Sequence, residues 1–467
     1  MTVRIRPPRS YFKRRAANND ARLDNRLALA DQALFAGQRA TGQTEVVQCV
    51  WVYEHAIDVA GLRRFHHNLS LGLLGRRIER SPLPFARHRW VCEPRSSDID
   101  IAERARPRAE LGDWLDERSQ LPTDAEVGPG WHLGVLPLTD GSTAVSLVVS
   151  HYLIDGLGLG LTIAEAVLGN ERNLGYPPPG SRTRLRAALE DARDTARDLP
   201  EVAQALVAAA QLARRDRKNI TRPASQSVAL SEANGDDVVI LPFITIFIDF
   251  DDWDARAKSL GGTTNTLVAA FAARLGERAG RRRVSDGAVT LQLPISDRSE
   301  SDTRAVAVLF GRVSIDPTGV ASDLRGIRSA IKQAVTTAQE TPGESVQQIL
   351  WLTPFTPKRA LRRLGDAMAA DPDLPVVCSN LGDFGSIVSC ADGTNAEYMT
   401  ARGTRQHVTR QWLERVGGLM TVLSARIPGK IGLSVLAYQP GAITSRSALR
   451  ELAARTLAEF DLAGEIN

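Results

Sequence analysis

The sequence predicts an α/β protein of two lobes, each a mixed β-sheet flanked by helices. Three observations lead there. A chain of 467 residues is too long for one ordinary core and suits two domains of roughly 200 residues each. Short apolar, strand-like runs alternate with helical segments in both halves, an order that sets helices outside sheets. Hydrophobic residues make up 43% and charged residues 24%, the balance of a globular rather than a disordered chain. No internal sequence repeat relates the halves.

Composition also excludes function classes. Lys plus Arg number 58 against 54 for Asp plus Glu, an excess too small to argue for nucleic acid. Arg4, Arg6, Arg9, Lys13, Arg14 and Arg15 crowd the amino terminus, where a loosely ordered, solvated basic arm is expected over residues 1–25. Cys49, Cys92, Cys378 and Cys390 are far apart, which suits reduced thiols, and the histidines show no His-x-x-x-His or His-Glu-x-x-His spacing. No metal is predicted. No apolar run approaches a membrane span and no apolar core follows the amino-terminal charges, so a cytoplasmic location is expected.

Taken in order, the first lobe is expected over 26–180. Asn25 to Ala36 has nearly helical apolar spacing, Val46 to Tyr53 reads as a strand, and Asp58 to Leu74 as a helix capped by Asp58. Arg87 to Val91 reads as a strand and Asp113 to Arg118 as a short helix. Trp131 to Leu138 and Ala144 to Ser150 form a hairpin through Thr139-Asp140-Gly141-Ser142. Leu157 to Leu168 is helical. A helical crossover follows over 181–235, from Arg182 to Lys218, broken near Pro200. Its face of Leu199, Val202, Leu206, Val207 and Leu212, beside Arg214, Arg215, Arg217 and Lys218, would suit a membrane surface or an acyl-chain donor. A solvated helix capping the fold is the preferred reading.

The second lobe is expected over 236–467. Pro242 to Phe250 and Val289 to Pro294 read as strands, with helices from Asp254 to Leu260 and Thr264 to Ala279 between them. Ser322 to Gln339 and Gln347 to Ala370 read as helices. Val376 to Asn380, Gly385 to Cys390, Gly418 to Ala425 and Ile431 to Ala437 read as strands, and a helix from Ser445 to Ala463 closes the chain.

The chemistry concentrates between Val145 and Gly158. Leu147, Val148 and Val149 form an aliphatic run that suits a strand buried on both faces, and Asp155-Gly156 signals a turn. His151 therefore stands at a strand end, where the sheet holds it while one ring nitrogen faces a cavity. That is what a general base needs. Asp155, past the turn, is assigned a structural role, tying backbone or an arginine together. Gly156, Gly158 and Gly160 permit close backbone approach, either to a ligand or to a tightly packed neighbour.

The string His151-x-x-x-Asp155-Gly156 after a hydrophobic strand resembles the HxxxDG signature of the chloramphenicol acetyltransferase-like superfamily. That superfamily includes plant-type acyltransferases, polyketide-associated acyltransferases, wax ester synthase/diacylglycerol acyltransferases and the condensation domains of nonribosomal peptide synthetases. Leu293-Pro294-Ile295-Ser296-Asp297-Arg298 and the loop after it resemble a proline-valine-serine-x-arginine segment whose arginine pairs with the motif's aspartate. Arg298 is the candidate, since a bidentate guanidinium would satisfy a buried Asp155 and fix the loop carrying His151. Arg304 is the alternative. Ser379-Asn380 resembles a serine-asparagine stretch of wax ester synthase-like proteins and would supply hydrogen bonds to a developing oxyanion. Asp383-Phe384-Gly385 partly matches the DFGWG segment of plant acyltransferases, with Ser386-Ile387 replacing Trp-Gly. Residue 150 is serine where condensation domains and many wax ester synthases carry a second histidine, which weakens an assignment to peptide condensation.

The resemblance implies two similarly folded lobes with an active-site tunnel between them. It implies an acyltransferase that moves an acyl group, fatty or polyketide in leaning, from a CoA or carrier-protein phosphopantetheine thioester to a hydroxyl acceptor. No bound cofactor is implied. With no Gly-x-Ser-x-Gly elbow, P-loop or GxGxxG spacing, direct transfer without an acyl-enzyme is favoured. The alternatives are a non-catalytic binding or scaffold protein of the same fold, and an amide-forming condensation on an amine acceptor.

Overall fold

The computed structural model describes residues 24–94, 97–219, 237–299, 301–340 and 349–467. Almost all of the basic arm and residues 220–236 of the crossover lie outside the described residues. So do the side chains of 212–219, which include Leu212 and the arginines and lysine after it.

In the first half, Asp58 caps the second helix as expected, accepting the Ala60 N–H at 2.9 Å. The order is α1 (Leu29–Thr41), β1 (Thr44–Tyr53), α2 (Val59–Leu69), β2 (Arg76–Glu79), β3 (Arg89–Cys92), β4 (Asp100–Ile101), α3 (Leu111–Ser119), β5 (Trp131–Pro137), β6 (Thr143–Ser150), α4 (Gly156–Leu168), α5 (Arg184–Arg197) and α6 (Leu199–Asn219). The second half continues with β7 (Phe243–Asp249), α7 (Phe250–Ser259), α8 (Thr264–Arg278), β8 (Val289–Ser296), β9 (Val308–Ile315), α9 (Arg325–Glu340), α10 (Lys358–Ala369), β10 (Val376–Asp383), β11 (Tyr398–Gln406), α11 (Arg410–Val416), β12 (Leu419–Ile427), β13 (Lys430–Tyr438), α12 (Arg446–Glu459) and β14 (Glu465–Ile466). No helix among the described residues is long and apolar enough to cross a membrane.

Two mixed sheets result, as the alternation predicts. One has the order β11-β1-β6-β5-β4, the other β14-β7-β13-β12-β10-β8-β9. On the first, Trp51, Leu133, Val145, Leu147 and Val149 pack against Leu62 and Phe65 of α2 and Leu159 and Ile163 of α4. On the second, Ile246, Val289, Val422 and Leu433 pack against α8, whose Leu267 to Ala273 are all buried, with Leu457 of α12 in the same core. A helix buried all round suits that position between layers.

Four corrections to the sequence reading have physical causes. Gly385 to Cys390 is not a strand: Ser386–Ser389 is a 3₁₀ turn entered through Gly385 at φ 69°. It is held by the Trp51 indole donating to Val388 O at 2.7 Å. Gln347 to Ala370 is not one helix, because Pro357 forces Thr356 into extended backbone between a 3₁₀ turn (Leu350–Phe355) and α10. The stretch around Leu309 to Gly311, read as a loop, belongs to edge strand β9. β11, which no local pattern predicts, comes from the second half and pairs with β1 from Thr44 to Val52.

β11 escaped because its buried face is polar. Arg402 donates to Gln48 Oε1 at 2.7 Å and to Leu115 O at 3.1 Å and pairs with Asp116 at 2.8 Å. Gln406 donates to Ser119 O and Leu121 O at 2.8 and 2.7 Å. These bonds fasten the incoming strand to the carboxyl half of α3 and the turn after it, where the Ser119 carbonyl at the helix end lacks a helical partner.

The same face holds His132, which is 6% exposed and accepts from Arg118 Nη2 at 2.8 Å on Nδ1. Burial, with the Arg118 cation behind it, pulls the His132 imidazole down to about 4. Unfolded, that ring binds a proton near its ordinary value of about 6.5. Between those values only the unfolded chain is protonated, so stability is expected to fall as pH drops from 7, by about 2 kcal/mol at pH 5 from this ring. Urea unfolding of wild type and His132→Gln at pH 7 and 5 checks it, the variant showing a flatter slope.

Candidate active site

β6 is the middle strand of the first sheet and delivers His151 at its end. The His151 N–H donates to Glu45 O at 2.8 Å, continuing the β1–β6 ladder by one residue, and the Leu153 N–H turns back to Ser150 O at 2.9 Å. The His151 side chain is half-buried, and its ring makes no hydrogen bond among the described residues. Ser150, where a second histidine would stand, is completely buried, with its hydroxyl unpartnered.

Asp155 caps α4 by accepting the Gly158 N–H at 2.7 Å. Arg298 meets the same carboxylate through Nε at 3.1 Å and Nη2 at 2.7 Å, with side chains only 1% (Arg298) and 4% (Asp155) exposed. A third donor, the Ala307 N–H, reaches Asp155 at 2.9 Å, while Arg298 also donates to the carbonyls of Arg304 and Ala305, both at 3.0 Å. Arg304 is not the partner. It is 39% exposed and pairs with Asp302 and Asp297.

Two further buried charges join this cluster, neither singled out from sequence. Asp31 of α1 accepts the Ala305 and Val306 N–H groups at 2.8 and 3.0 Å. Burial pushes its carboxyl up, against the opposing pull of those bonds and of Arg76 and Arg298. Arg76 donates to Leu153 O at 2.8 Å and to Thr303 O, and its guanidinium lies 4.0 Å from the Trp90 ring centroid. Burial brings it down to about 10. Asp31, Arg76, Asp155 and Arg298 thus lock the loop after β8 to the turn that follows His151. Alternating charges with every strong acceptor used is the condition under which a buried ionic cluster holds.

The α4 glycines make room for protein. A Cβ on Gly156 would lie 3.0 Å from Leu381, one on Gly158 3.0 Å from the Arg298 guanidinium carbon, and one on Gly160 only 2.4 Å from two Phe384 ring carbons. Of the two readings left open by sequence, close packing is the one observed. Gly160→Ala is expected to cost about 1–3 kcal/mol by overpacking. Part of that loss should return in Gly160→Ala/Phe384→Leu, read by urea unfolding.

Glu45 and Arg405 flank His151. By register, His151, Glu45 and Arg405 stand side by side on β6, β1 and β11, sharing one face. Arg405 Nη2 lies 2.5 Å from Glu45 Oε1 and its guanidinium packs over Trp412 at 5.2 Å. Arg405, then His151, hold the Glu45 carboxyl below its usual range, against the cost of burial. No local pattern in the sequence marks this row, because it forms only where β11 pairs with β1. Ser379 is part-buried and Asn380 exposed on β10, and neither bonds to His151 among the described residues. Asn380 donates to Asn265 and accepts the Gly382 N–H at 2.6 Å. Leu381 against Gly156 nonetheless sets the end of β10 at the head of α4. Two small niches, each of about 10 Å³, lie between α5, α6, the 85–89 segment and the 3₁₀ turn before α10, and neither is lined by His151.

No protein-family model and no curated protein matches the chain. Solved structures do. The first condensation domain of the CDA synthetase superposes with a TM-score of 0.53 at 13% identity, over 94% of this chain and 98% of that one. The wax ester synthase/diacylglycerol acyltransferase from Marinobacter aquaeolei VT8 gives 0.52 at 16%, over 93% and 98%. The starter condensation domain of rhizomide synthetase RzmA, as a mutant in complex with C8-CoA, gives 0.50 at 15%, over 92% and 93%. The chain therefore has the two-lobed, chloramphenicol acetyltransferase-like fold. Condensation domains and a wax ester synthase are among the proteins it resembles in structure.

Proposed function

We propose that the protein is an acyltransferase in which His151 acts as general base between an acyl thioester and a hydroxyl acceptor. The observation that carries this reading is a half-buried imidazole with no ring hydrogen bond among the described residues, whose backbone is pinned by Glu45 and whose following turn is locked by the buried Asp155–Arg298 pair. Such a ring is free to meet substrate yet held in place.

In the proposed reaction a His151 ring nitrogen takes the acceptor O–H proton as the oxygen attacks the thioester carbonyl. The tetrahedral oxyanion collapses, the carbon–sulfur bond breaks, and the imidazolium returns the proton to the leaving thiolate. The Glu45 carboxylate stands beside the ring, held in place by Arg405. Ser379 is the better placed of the two oxyanion candidates, since the Asn380 amide is already engaged with Asn265. A passage between the lobes, admitting donor and acceptor from opposite sides, is part of this proposal. The donor is a CoA or carrier-protein thioester, and a hydroxyl acceptor is favoured over an amine because residue 150 is a buried serine. Asp155, Gly156 and Arg298 act on structure rather than on substrate.

Incubation of the purified protein with acyl-CoA thioesters of several chain lengths and a panel of alcohols and amines, followed by mass spectrometry, tests the assignment. Ester products that require the protein support it. Amide products would replace the acceptor class, and no product with any pair would reject transfer.

A further inference from the structure

α10 carries Lys358, Arg359, Arg362 and Arg363, all exposed. At about 100° per residue the four occupy one side of the helix, as two like-charge pairs at i,i+4, a spacing that destabilises a helix on its own. Among the described residues none of them has a hydrogen-bond or ion-pair partner. Neighbouring arginines do: Arg312 holds Asp371 and Asp373, and Arg410 holds Asp237. The helix's one carboxylate, Asp366, faces Arg415 of α11 at 3.6 Å. Among the described residues, then, nothing compensates the cationic face.

Its position relates it to His151. α10 packs on α1, and a Cβ on Gly365 would touch Thr41 at 3.8 Å, just before β1 and Glu45. On the other side, Asp366 is tied to α11, whose Trp412 lies under Arg405, the partner of Glu45. Lys358 is only about 10 Å along the axis from Gly365. In a CoA thioester the pantetheine arm separates the reacting carbonyl from the pyrophosphate and 3′-phosphate. A donor whose carbonyl reaches His151 therefore leaves its phosphates on the surrounding surface, where guanidinium groups bind them well.

We propose that the cationic face of α10 docks the phosphate groups of a CoA-type donor. This rests on the acyl-transfer reading for the ligand's role, whereas the binding is measurable without turnover. Calorimetric titration with CoA, 3′-dephospho-CoA and pantetheine tests it on wild type, Arg362→Glu/Arg363→Glu and Arg362→Lys/Arg363→Lys. Wild type is expected to bind CoA with an affinity that falls as salt rises, and to bind dephospho-CoA more weakly. The charge reversal should weaken CoA at least tenfold and leave pantetheine unchanged, with the lysine pair close to wild type. Should the reversal unfold the chain, Arg362→Gln/Arg363→Gln is read in its place, with a smaller loss expected.

Unchanged CoA affinity in the charge variants, equal loss of pantetheine, or a loss confined to anionic phospholipid vesicles would overturn the proposal. A protein that binds CoA through α10 but makes no acyl product keeps this inference and loses the proposed reaction. One that transfers acyl groups at unchanged KM with the charges reversed does the opposite.

Discussion

His151→Ala is expected to lower kcat/KM for acyl transfer by about 10²–10⁴-fold, the usual contribution of a positioned general base. Its melting temperature should stay close to wild type. The ring is half-buried and bonds to nothing among the described residues, so its loss removes little packing. The backbone ties that shape the turn, His151 N–H to Glu45 O and Leu153 N–H to Ser150 O, survive the change. Free-thiol release with a saturating alcohol gives the rate, and scanning calorimetry the stability. A rate within a few-fold of wild type would remove His151 from the chemistry.

Arg298→Ala should do the reverse, with a large effect on stability. The substitution leaves the Asp155 carboxylate buried with only two N–H donors and strips the Arg304 and Ala305 carbonyls of theirs. Breaking one side of such a pair costs about 3–5 kcal/mol. A double-mutant cycle with Asp155→Asn in urea should show strong coupling, because the second change removes the stranded charge. Arg298→Lys keeps the charge but not the two-pronged geometry and should fall between. Full stability in Arg298→Ala would mean that the ionic cluster does not hold this loop.

How far the sequence reveals such features depends on how local their causes are. Leu147 to Val149 followed by His151 is a local signal, and the strand and the ring at its end lie where the pattern places them. Arg298 was reachable only through a resemblance spanning distant segments. Asp31 and Arg76 look like ordinary polar residues of a helix and a strand. What makes them important is the loop after β8 folding back onto them. Glu45 and Arg405 meet only because β11 crosses to the first sheet, and β11 carries arginine, threonine and glutamine where apolar alternation would have marked a strand. The α4 glycines show the converse: their spacing announced close approach, but only coordinates show that Leu381, Arg298 and Phe384 are what approaches.

The most direct test of direct transfer through His151 is to mix enzyme with acyl-CoA, with and without an alcohol acceptor, and follow thiol release while weighing the protein by mass spectrometry. Wild type is expected to release thiol only when acceptor is present and to carry no added acyl mass, with His151→Ala releasing almost none. A stoichiometric burst of thiol leaving an acyl group on the protein, or equal release by His151→Ala, would contradict the account.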